Sequence, residues 1–294
     1  MLDFRIETFI TVCRHMNFTK AAEELAITQP AVSQHIHYLE DSYHIKLFEY
    51  QGKKMKLTPQ GTVFLNAATT MKHDDIYLRE KLGQMENQGL HLVFGVTLTV
   101  GEFVIPGHIA QFLMKYPDTS LKMAVSNTKE LLTKINSGEI DFALVEGFFA
   151  KSEYDYLVYS RERYIGICKK GYQFHKKVQV IEDLLDERMI IREAGSGTRE
   201  ILEKYMEGRN FKIQDFNNLT EISNISAIKS LVKEGCGITF LYEAAVREEL
   251  KEGSLEMIPL KDFNVSHDLT FIWRRNSIFS EYYHELFSLL HDNL

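Results

Sequence analysis

Thr28-Gln-Pro-Ala-Val-Ser-Gln-His-Ile-His-Tyr-Leu-Glu40 decides the fold, because this stretch predicts a short helix with two unlike faces. Val32, Ile36 and Leu39 are spaced i, i+4 and i+7, so they form one apolar stripe that must face a core. Thr28 is a suitable N-cap, since its hydroxyl can accept a hydrogen bond from an unpaired backbone N–H of the first turn. Pro30 lies in that turn, where a missing N–H costs nothing.

The other face of this helix presents uncharged groups that donate and accept hydrogen bonds, which suits the reading of base edges in a DNA major groove. The candidate DNA-binding residues of the stretch are Thr28, Gln29, Pro30, Ser33, Gln34 and His37. We expect Gln34 and His37 to point into the groove and Thr28 to lie close to a phosphate. Taken alone, the stretch is explained equally well by an amphipathic surface helix without a DNA-binding role.

The neighbouring segments predict a winged helix-turn-helix domain over residues 1–58. A second short helix at Lys20-Ala-Ala-Glu-Glu-Leu25 ends about three residues before the first stretch, as a helix-turn-helix requires. Further upstream, a third helix is predicted by the apolar stripe Leu2, Ile6, Phe9, Ile10 and Cys13. Two short strands, Ile45–Phe48 and Met55–Leu57, flank a turn that carries Lys53 and Lys54. We expect both lysines to contact the DNA backbone or the minor groove.

Charge is the one feature of the composition that argues against a nucleic-acid binder. The chain of 294 residues has a formal net charge of −7, whereas DNA-binding domains usually carry a basic patch. Positive charge must therefore be local, at Lys53, Lys54 and Lys56, with help from helix N-termini at the phosphates.

The N-terminal part resembles the LysR-type transcriptional regulators. The resemblance rests on Phe18-Thr-Lys-Ala-Ala22, Leu25, Thr28-Gln-Pro-Ala-Val-Ser33, Leu39-Glu40, Leu47-Phe48 and Leu57-Thr-Pro-Gln-Gly61. Two positions depart from the family pattern: Tyr50 stands where an arginine is usual, and Gln34 where a basic residue is frequent. Both departures remove possible DNA contacts. The resemblance implies a regulator that binds double-stranded operator or promoter DNA.

A long linker helix is predicted over residues 59–88. Thr58-Pro59 gives a cap followed by proline at the first helical position. An apolar residue recurs every seven positions at Phe64, Met71, Leu78 and Met85, and such a stripe needs a partner. Two partners are open, namely the chain's own C-terminal part and the same helix of a second subunit. The family resemblance implies the second, antiparallel, in a homodimer and in a homotetramer built from two dimers.

From His91 onward, predicted strands and helices alternate, which indicates an α/β fold with parallel sheets and helices on both faces. For residues 89–294 the resemblance implies a two-lobed effector-binding domain like the periplasmic binding proteins. The chain would cross between lobes near Ser160-Arg161 and His267-Asp268. Lobe I then comprises about 89–160 and 268–294, and lobe II about 161–267.

Candidate effector-binding residues follow the predicted strands. In open parallel sheets, ligands bind beyond the carboxyl ends of the strands, where helices begin. Hydroxyls, amides and free backbone N–H groups at helix N-termini can hold a small anion without a full positive charge. The candidates are Thr97, Thr99, Ser126, Asn127, Gly195, Ser196, Gly197 and Thr198. Each of them, taken singly, is also an ordinary cap or turn residue.

Gly195-Ser-Gly-Thr198 is the most specific of these segments. It is not a dinucleotide fingerprint, because Glu200 occupies the position of the third glycine. Nor does it contain the G-x-S-x-G of a nucleophile elbow. The Gly-Ser-Gly-Thr-Arg sequence resembles LysR-type regulators that sense small anionic metabolites, including those governing sulfur assimilation and carbon fixation. We therefore expect a small anionic effector between the lobes. Arg161, Arg163 and Arg192 could neutralise an effector, but we expect them to be solvated surface residues.

An enzyme is the alternative function, with the Gly195–Thr198 loop binding a phosphorylated substrate. No catalytic acid–base pair or nucleophile constellation supports it, and neither the 11 histidines nor the three cysteines have metal-ligand spacing. We expect no cofactor and no metal. A third possibility is a secreted solute-binding protein, but the sequence shows no secretory signal. No stretch reaches the ~18 apolar residues of a membrane span, so we expect a cytoplasmic regulator that is not an enzyme.

Overall fold

The computed structural model describes residues 2–52, 54–83 and 90–291. Its N-terminal part is a winged helix-turn-helix of three helices and one hairpin. These elements are α1 (Phe4–His15), α2 (Phe18–Glu24), α3 (Gln29–Tyr43), β1 (Phe48–Gln51) and β2 (Lys54–Leu57). The predicted contact residue Lys53, at the hairpin turn, lies outside the described residues.

The apolar stripe of α3 faces the core of this domain, as predicted: Val32, Ile36 and Leu39 are all buried. The caps of the two central helices have the expected chemistry. Asn17 Oδ1 accepts a hydrogen bond from Lys20 N at 3.0 Å at the start of α2, and Thr28 Oγ1 accepts one from Ala31 N at 3.3 Å at the start of α3. Such caps satisfy backbone N–H groups that lack a partner inside the helix.

The first wing strand begins at Phe48, so the prediction of Ile45–Phe48 was wrong in its start. The backbone groups of Leu47 are already engaged. Its N–H donates to Glu40 Oε1 at 2.9 Å, and its carbonyl accepts from Thr58 N at 3.1 Å. A Cβ at Gly61 would collide with that same carbonyl oxygen. Leu47 therefore joins the hairpin to the helices, and strand pairing starts one residue later.

The linker helix α4 (Pro59–Gly83) is described as far as Gly83, and the predicted remainder, including Met85, lies outside the described residues. Thr58 caps it by accepting a hydrogen bond from Gly61 N at 2.8 Å. Phe64 does not belong to an exposed seam, because it is buried in the N-terminal core with its ring 5.1 Å from that of Phe9. The large apolar side chains that remain exposed on α4 are Val63, Met71, Leu78 and Leu82.

The C-terminal part alternates strands and helices, as predicted. Its strands are β3 (His91–Val96), β4 (Ser120–Val125), β5 (Phe142–Val145), β6 (Tyr154–Lys169), β7 (Arg188–Ile191), β8 (Asn218–Glu221), β9 (Thr239–Tyr242), β10 (Leu255–Met257) and β11 (Val265–Arg274). Its α-helices are α5 (Pro106–Lys115), α6 (Thr128–Ser137), α7 (Gly197–Glu207), α8 (Ile225–Lys233), α9 (Glu243–Glu252) and α10 (Ser280–His291). A single π-helical segment, Val100–Val104, lies between β3 and α5.

The sheets are mixed, so the expectation of purely parallel sheets was wrong. β3 lies parallel to β4 and β5, and β7 lies parallel to β8. However, β6 and β11 pair antiparallel with each other and with their other neighbours. The sequence analysis did not predict β6, and it recognised only the end of β11, at Trp273–Arg275, because both strands are antiparallel and fit no repeat of parallel strand and helix.

β6 and β11 connect the two lobes. Lobe I contains β3, β4 and β5, and lobe II contains β7, β8, β9 and β10. One half of β6 lies beside the part of β11 that pairs with β5, and the other half pairs with β9 and β10. At the passage, Leu269 is opposite Ser160 and Asp268 is opposite Arg161, next to a β-bulge. The two expected crossing points are thus paired neighbours on two continuous strands.

α4 also packs on its own lobe I, through a face other than its exposed apolar stripe. The guanidinium of Arg274, at the end of β11, donates to Thr70 Oγ1 at 3.3 Å and to Asn66 O at 3.1 Å. Asp74 accepts hydrogen bonds from Ser277 Oγ at 2.6 Å and from Ile278 N at 3.0 Å. The partner of the apolar stripe itself stays a prediction. Within the described ranges, no helix is long and apolar enough to cross a membrane.

Candidate functional site

The outer face of α3 borders a groove of about 530 Å³ that the start of α2 and the wing complete. Three of the predicted DNA-binding residues line it, namely Gln29, Ser33 and His37. Gln29 Nε2 donates to Ser33 Oγ at 2.9 Å, and His37 Nδ1 lies 2.7 Å from Ser33 O. These contacts are within one helix, so the side chains are oriented before any partner arrives.

The remaining predicted residues of α3 lie beside this groove. Thr28, Pro30 and Gln34 are exposed, and Gln34 is not among the residues that line the groove. Lys54 is exposed at the start of β2. Tyr50, which stands where the family usually has an arginine, is 69% exposed and lines the groove from the wing. Tyr50 replaces a possible arginine contact, but as an exposed aromatic side chain on the wing it is itself a candidate for DNA contact.

In the C-terminal domain, two of the predicted segments meet between the lobes. Thr99 follows β3 of lobe I, and Thr198 lies in the first turn of α7 in lobe II. Their hydroxyl oxygens are 3.5 Å apart, and both side chains are buried. Thr97 and Ser196 are buried as well. A Cβ on Gly197 would lie 2.7 Å from Gly147 N, so glycine is what lets the two lobes approach this closely.

Glu146 stands at the centre of this contact and was missed in the sequence. It directly follows β5, is 1% exposed, and its Oε1 accepts a hydrogen bond from Thr198 Oγ1 at 2.7 Å. Tyr242 of lobe II donates its hydroxyl to the Glu146 carbonyl at 3.4 Å. Burial raises the pKa of the Glu146 carboxyl because a low dielectric disfavours the charged form. Glu146 directly follows a strand, as Thr97 does, and this position could have identified it as a candidate from the sequence.

Arg192 is the second correction, because the prediction of a solvated surface arginine was wrong. Its side chain is 5% exposed. Nε and Nη2 donate to the Glu193 carboxylate at 2.8 and 2.9 Å. Nη1 is buried without a hydrogen-bond partner among the described residues. The guanidinium is close enough to oppose the rise in the pKa of Glu146. Arg161 and Arg163, by contrast, are exposed as predicted.

Unpartnered polar atoms collect at this junction of the lobes. Within the described part of the chain, five side-chain atoms there are buried with no hydrogen-bond partner: Thr97 Oγ1, Thr128 Oγ1, Glu146 Oε2, Arg192 Nη1 and Ser196 Oγ. Buried polar groups in folded proteins are almost always hydrogen-bonded, because leaving one unpaired costs about 1–3 kcal/mol. Five such atoms in one place make this junction a candidate site for a polar ligand.

The other predicted effector residues lie at the edge of the cleft and are engaged locally. Ser126 Oγ donates to Glu130 Oε2 at 2.8 Å, and Asn127 Oδ1 caps α6 by accepting from Glu130 N at 2.9 Å. Gly195 is exposed with φ +91°, and a Cβ on it would lie 3.9 Å from the Asn127 side chain. These residues are more exposed than Thr99 and Thr198 and do not belong to the buried contact between the lobes.

Comparison with known families identifies the class of protein to which this chain belongs. Residues 86–294 match the LysR substrate binding domain, and residues 5–62 match the bacterial regulatory helix-turn-helix protein, lysR family. The chain belongs to the LysR family of transcriptional regulators. It is therefore a regulator that binds DNA through its winged helix-turn-helix and carries an effector-binding domain. The alternative of an enzyme finds no support, because the family and the relatives are regulators.

Relatives of this LysR-type regulator extend over nearly its whole length. It is 28% identical over 273 residues to the HTH-type transcriptional regulator CysL of Bacillus subtilis, covering 91% of this chain and 89% of the relative. It is 26% identical over 273 residues to the activator CmpR of Synechocystis sp., with 92% and 89% covered. Full-length OxyR from Pseudomonas aeruginosa has the same fold, with a TM-score of 0.58, 21% identity and 99% of both chains covered.

LysG from Corynebacterium glutamicum, solved with the effector Arg bound, also shares the fold of this LysR-type regulator. The TM-score is 0.62 at 14% identity, again with 99% of each chain covered. At this identity the likeness concerns the fold alone. The winged domain, the linker helix and the two-lobed domain thus occur in the same order in solved regulators of the family.

Proposed function

We propose that this regulator binds a small anion between its two lobes and reads promoter DNA with α3 and the wing, as an oligomer joined through α4. The single observation that carries the effector site is the group of five unpartnered polar atoms around Thr198 and Glu146. A ligand held between the lobes can bias their arrangement, because it contacts the alternative arrangements differently.

An anion fits the donors at the centre of the cleft. Arg192 Nη1 and the hydroxyls of Thr97 and Ser196 are available donors, and the start of α7 adds free N–H groups and the positive end of a helix dipole. Glu146 does not oppose an anion when it is protonated, and its raised pKa favours that form. Its O–H is then one more donor. The effector is accordingly a small compound with one acidic group, such as an inorganic anion, a sugar phosphate or a short carboxylate.

DNA reading is assigned to the exposed face of α3. Gln29, Ser33, Gln34 and His37 supply amide, hydroxyl and imidazole groups of the kind that pair with base edges. Thr28 and Lys54 supply phosphate contacts, which fix the position on the duplex without reading sequence. The low charge of the domain predicts modest binding to random DNA, since phosphate contacts supply most of non-specific affinity.

Assembly is assigned to the exposed stripe of α4. Val63, Met71, Leu78 and Leu82 leave an apolar surface in solvent, and a soluble helix with such a surface needs a partner. Because the other face of α4 is occupied by lobe I, the stripe is free to pair antiparallel with the same helix of a second subunit. We propose a homodimer through this contact and a homotetramer of two dimers in the cytoplasm, where two pairs of winged domains meet the DNA.

Calorimetry with inorganic anions, sugar phosphates and short carboxylates tests the effector site. Thr198→Val keeps the shape of the side chain and removes the hydroxyl. It should weaken binding of the anion several-fold, since one neutral hydrogen bond contributes about 0.5–1.5 kcal/mol. Operator binding without effector should not change.

Thr133→Val is the matched control, because Thr133 is an exposed threonine of α6 whose hydroxyl donates to Lys129 O within the same helix. It should bind the anion normally. If an anion binds and both Thr97→Val and Thr198→Val retain full affinity, the assignment to the cleft is wrong.

A further inference from the structure

A second cavity, of about 220 Å³, lies beside the strands that join the lobes. Its walls are the loop that follows Glu146 and the adjoining parts of β6 and β11. The lining residues on which its chemistry depends are Phe148, Phe149, Lys151, Tyr156, Arg161 and His267. The buried cleft residues Thr97, Thr99, Ser196 and Thr198 do not line it, so it is a different cavity from the cleft.

Aromatic rings form one side of this cavity and are held in place by each other. The Phe148 ring meets the His267 ring edge-on with centroids 5.2 Å apart, and Phe149 meets Tyr156 in the same way at 5.6 Å. Nevertheless Phe148 and Tyr156 are 42% and 38% exposed. Fixed aromatic side chains that remain exposed around a concavity are typical of small-molecule sites, where they cover an apolar ring.

The charged groups of the cavity are only loosely paired. Arg161 Nε lies 3.9 Å from Asp268 Oδ1, which is beyond hydrogen-bonding distance. Lys151 Nζ lies 4.7 Å above the Tyr156 ring. Burial lowers the pKa of His267, which keeps its ring neutral, and its Nδ1 is buried without a partner in the part of the chain that the structure describes. Two cations against one carboxylate leave the cavity with a net positive charge.

We propose that this cavity binds a small aromatic carboxylate. Lys204 Nζ lies 2.9 Å from the Phe148 ring centroid and covers one face of that ring. The ligand ring would therefore lie along the parts of Phe148 and Tyr156 that remain exposed. Its carboxylate would meet the guanidinium of Arg161, which can form two parallel charge-assisted hydrogen bonds. Lys151 adds a second positive charge to the same side. Sites for drug-sized ligands measure about 300–1,000 Å³, so a cavity of 220 Å³ suits a compound with a single ring or a fused pair.

The position of the cavity couples ligand binding there to the arrangement of the two lobes. Phe148 N donates to Glu200 Oε2 of lobe II at 3.4 Å, and Arg161 lies on β6 where that strand passes between the lobes. A ligand that contacts both residues touches the loop that reaches lobe II and the strand that joins the lobes. Such a ligand acts at a second site and changes the response to the effector of the cleft, by a factor that is the same in both directions.

Titration calorimetry of the full chain with benzoate and with indole-3-acetate tests the proposal. Benzyl alcohol, which has the ring but no charge, should bind at least about tenfold more weakly than benzoate, since charge-assisted bonds are roughly twice as strong as neutral ones. Arg161→Gln should weaken benzoate by a similar factor. Arg163→Gln is the matched control, because Arg163 is exposed on the same strand but outside the cavity.

Two further variants separate this cavity from the cleft and from a folding defect. Val158→Phe adds a ring inside the cavity at an exposed position of β6 and should reduce benzoate binding as strongly as Arg161→Gln. Thr198→Val, in the cleft, should leave benzoate binding unchanged. The proposal is overturned if neither acid binds up to about 10 mM, if Arg161→Gln and Val158→Phe both bind benzoate normally, or if Thr198→Val abolishes the binding.

Discussion

The DNA-reading face of α3 and the cleft between the lobes both present polar side chains, but they are assembled in opposite ways. On α3, all the groups come from one helix, lie in solvent and bond to neighbours one turn away, as Gln29 does to Ser33. In the cleft, Thr99 and Thr198 are 99 positions apart in the chain and are buried where they meet. The exposed apolar stripe of α4 is of the first kind, since one helix supplies it.

This difference determines what a change at each place should do. A group on a single exposed helix acts on a partner outside the chain, and its loss leaves the fold intact. A group in the cleft contacts other parts of the same chain, so its loss should act on the response to the effector and leave the DNA contacts in place.

Met71→Lys should have the largest effect if the stripe of α4 is a subunit interface. It would place a charge in an apolar contact between helices, and burying an unpaired charge costs several kcal/mol. We expect the full chain to sediment as a smaller species and to bind its operator much more weakly, while its circular dichroism stays unchanged. Glu80→Lys, on the other side of α4, is the control and should sediment like the wild type. A Met71→Lys variant with wild-type mass and operator affinity would place the interface elsewhere.

Glu146→Gln should have an intermediate effect, visible in the pH dependence of anion binding. Burial raises the pKa of Glu146, and only the protonated carboxyl donates to an anion. Affinity of the wild type should therefore fall as pH rises through that pKa, by up to about tenfold per pH unit. Glutamine is neutral at every pH, so the variant should bind equally well throughout. Calorimetry between about pH 5 and pH 8, with an anion of constant charge, measures this.

A different pH dependence of anion binding would contradict the proposed role of Glu146. Wild-type affinity that stays flat or increases with pH would mean that the carboxylate form faces the ligand, which would then carry a donor or a positive charge at that point. The exposed histidine His37 is not expected to produce the effect, because it lies on α3 in the N-terminal domain.

Gln34→Ala should have the smallest effect and should act on one base position only. Loss of one base contact costs about 1–3 kcal/mol, and we expect about 1 kcal/mol here because Gln34 lies beside the groove that α3 and the wing form. Lys54→Ala, in contrast, should weaken binding to all sequences alike and reduce the salt slope by about one. Footprinting on a set of mutated operators distinguishes the two. Equal losses on every operator for Gln34→Ala would show that it does not read sequence.

What the sequence predicted follows the same division between local and distant contacts. The caps Thr28 and Thr58 and the apolar stripe of α3 were predictable, because helix starts and helix faces depend on residues within a turn or two. The start of β1 was not predictable, because the backbone groups of Leu47 bond to Glu40 and Thr58 and do not pair in the strand. The long strand β6 was missed, and β11 was recognised only at its end, because both strands serve both lobes and fit no strand–helix repeat.

The candidate effector site was predicted in part for a related reason. Hydroxyl residues after strands were recognised, and two of those segments do meet at Thr99 and Thr198. Glu146 was not among the candidates, although it follows a strand, and its burial depends on residues of both lobes. Arg192 was expected to be solvated, because its burial depends on residues that are distant in the sequence.

Arg274 ends β11 and holds α4 through Asn66 and Thr70, while Asp74 of α4 binds the turn that follows. All these contacts attach α4 to lobe I, so the linker helix and lobe I form one body. In the reference frame of the bound DNA, a bend between the lobes is therefore a displacement of lobe II alone. In the proposed oligomer, the effector would therefore act on the promoter through contacts between lobe II and a neighbouring subunit. It would not act through the direct connection of lobe I to α4 within one chain.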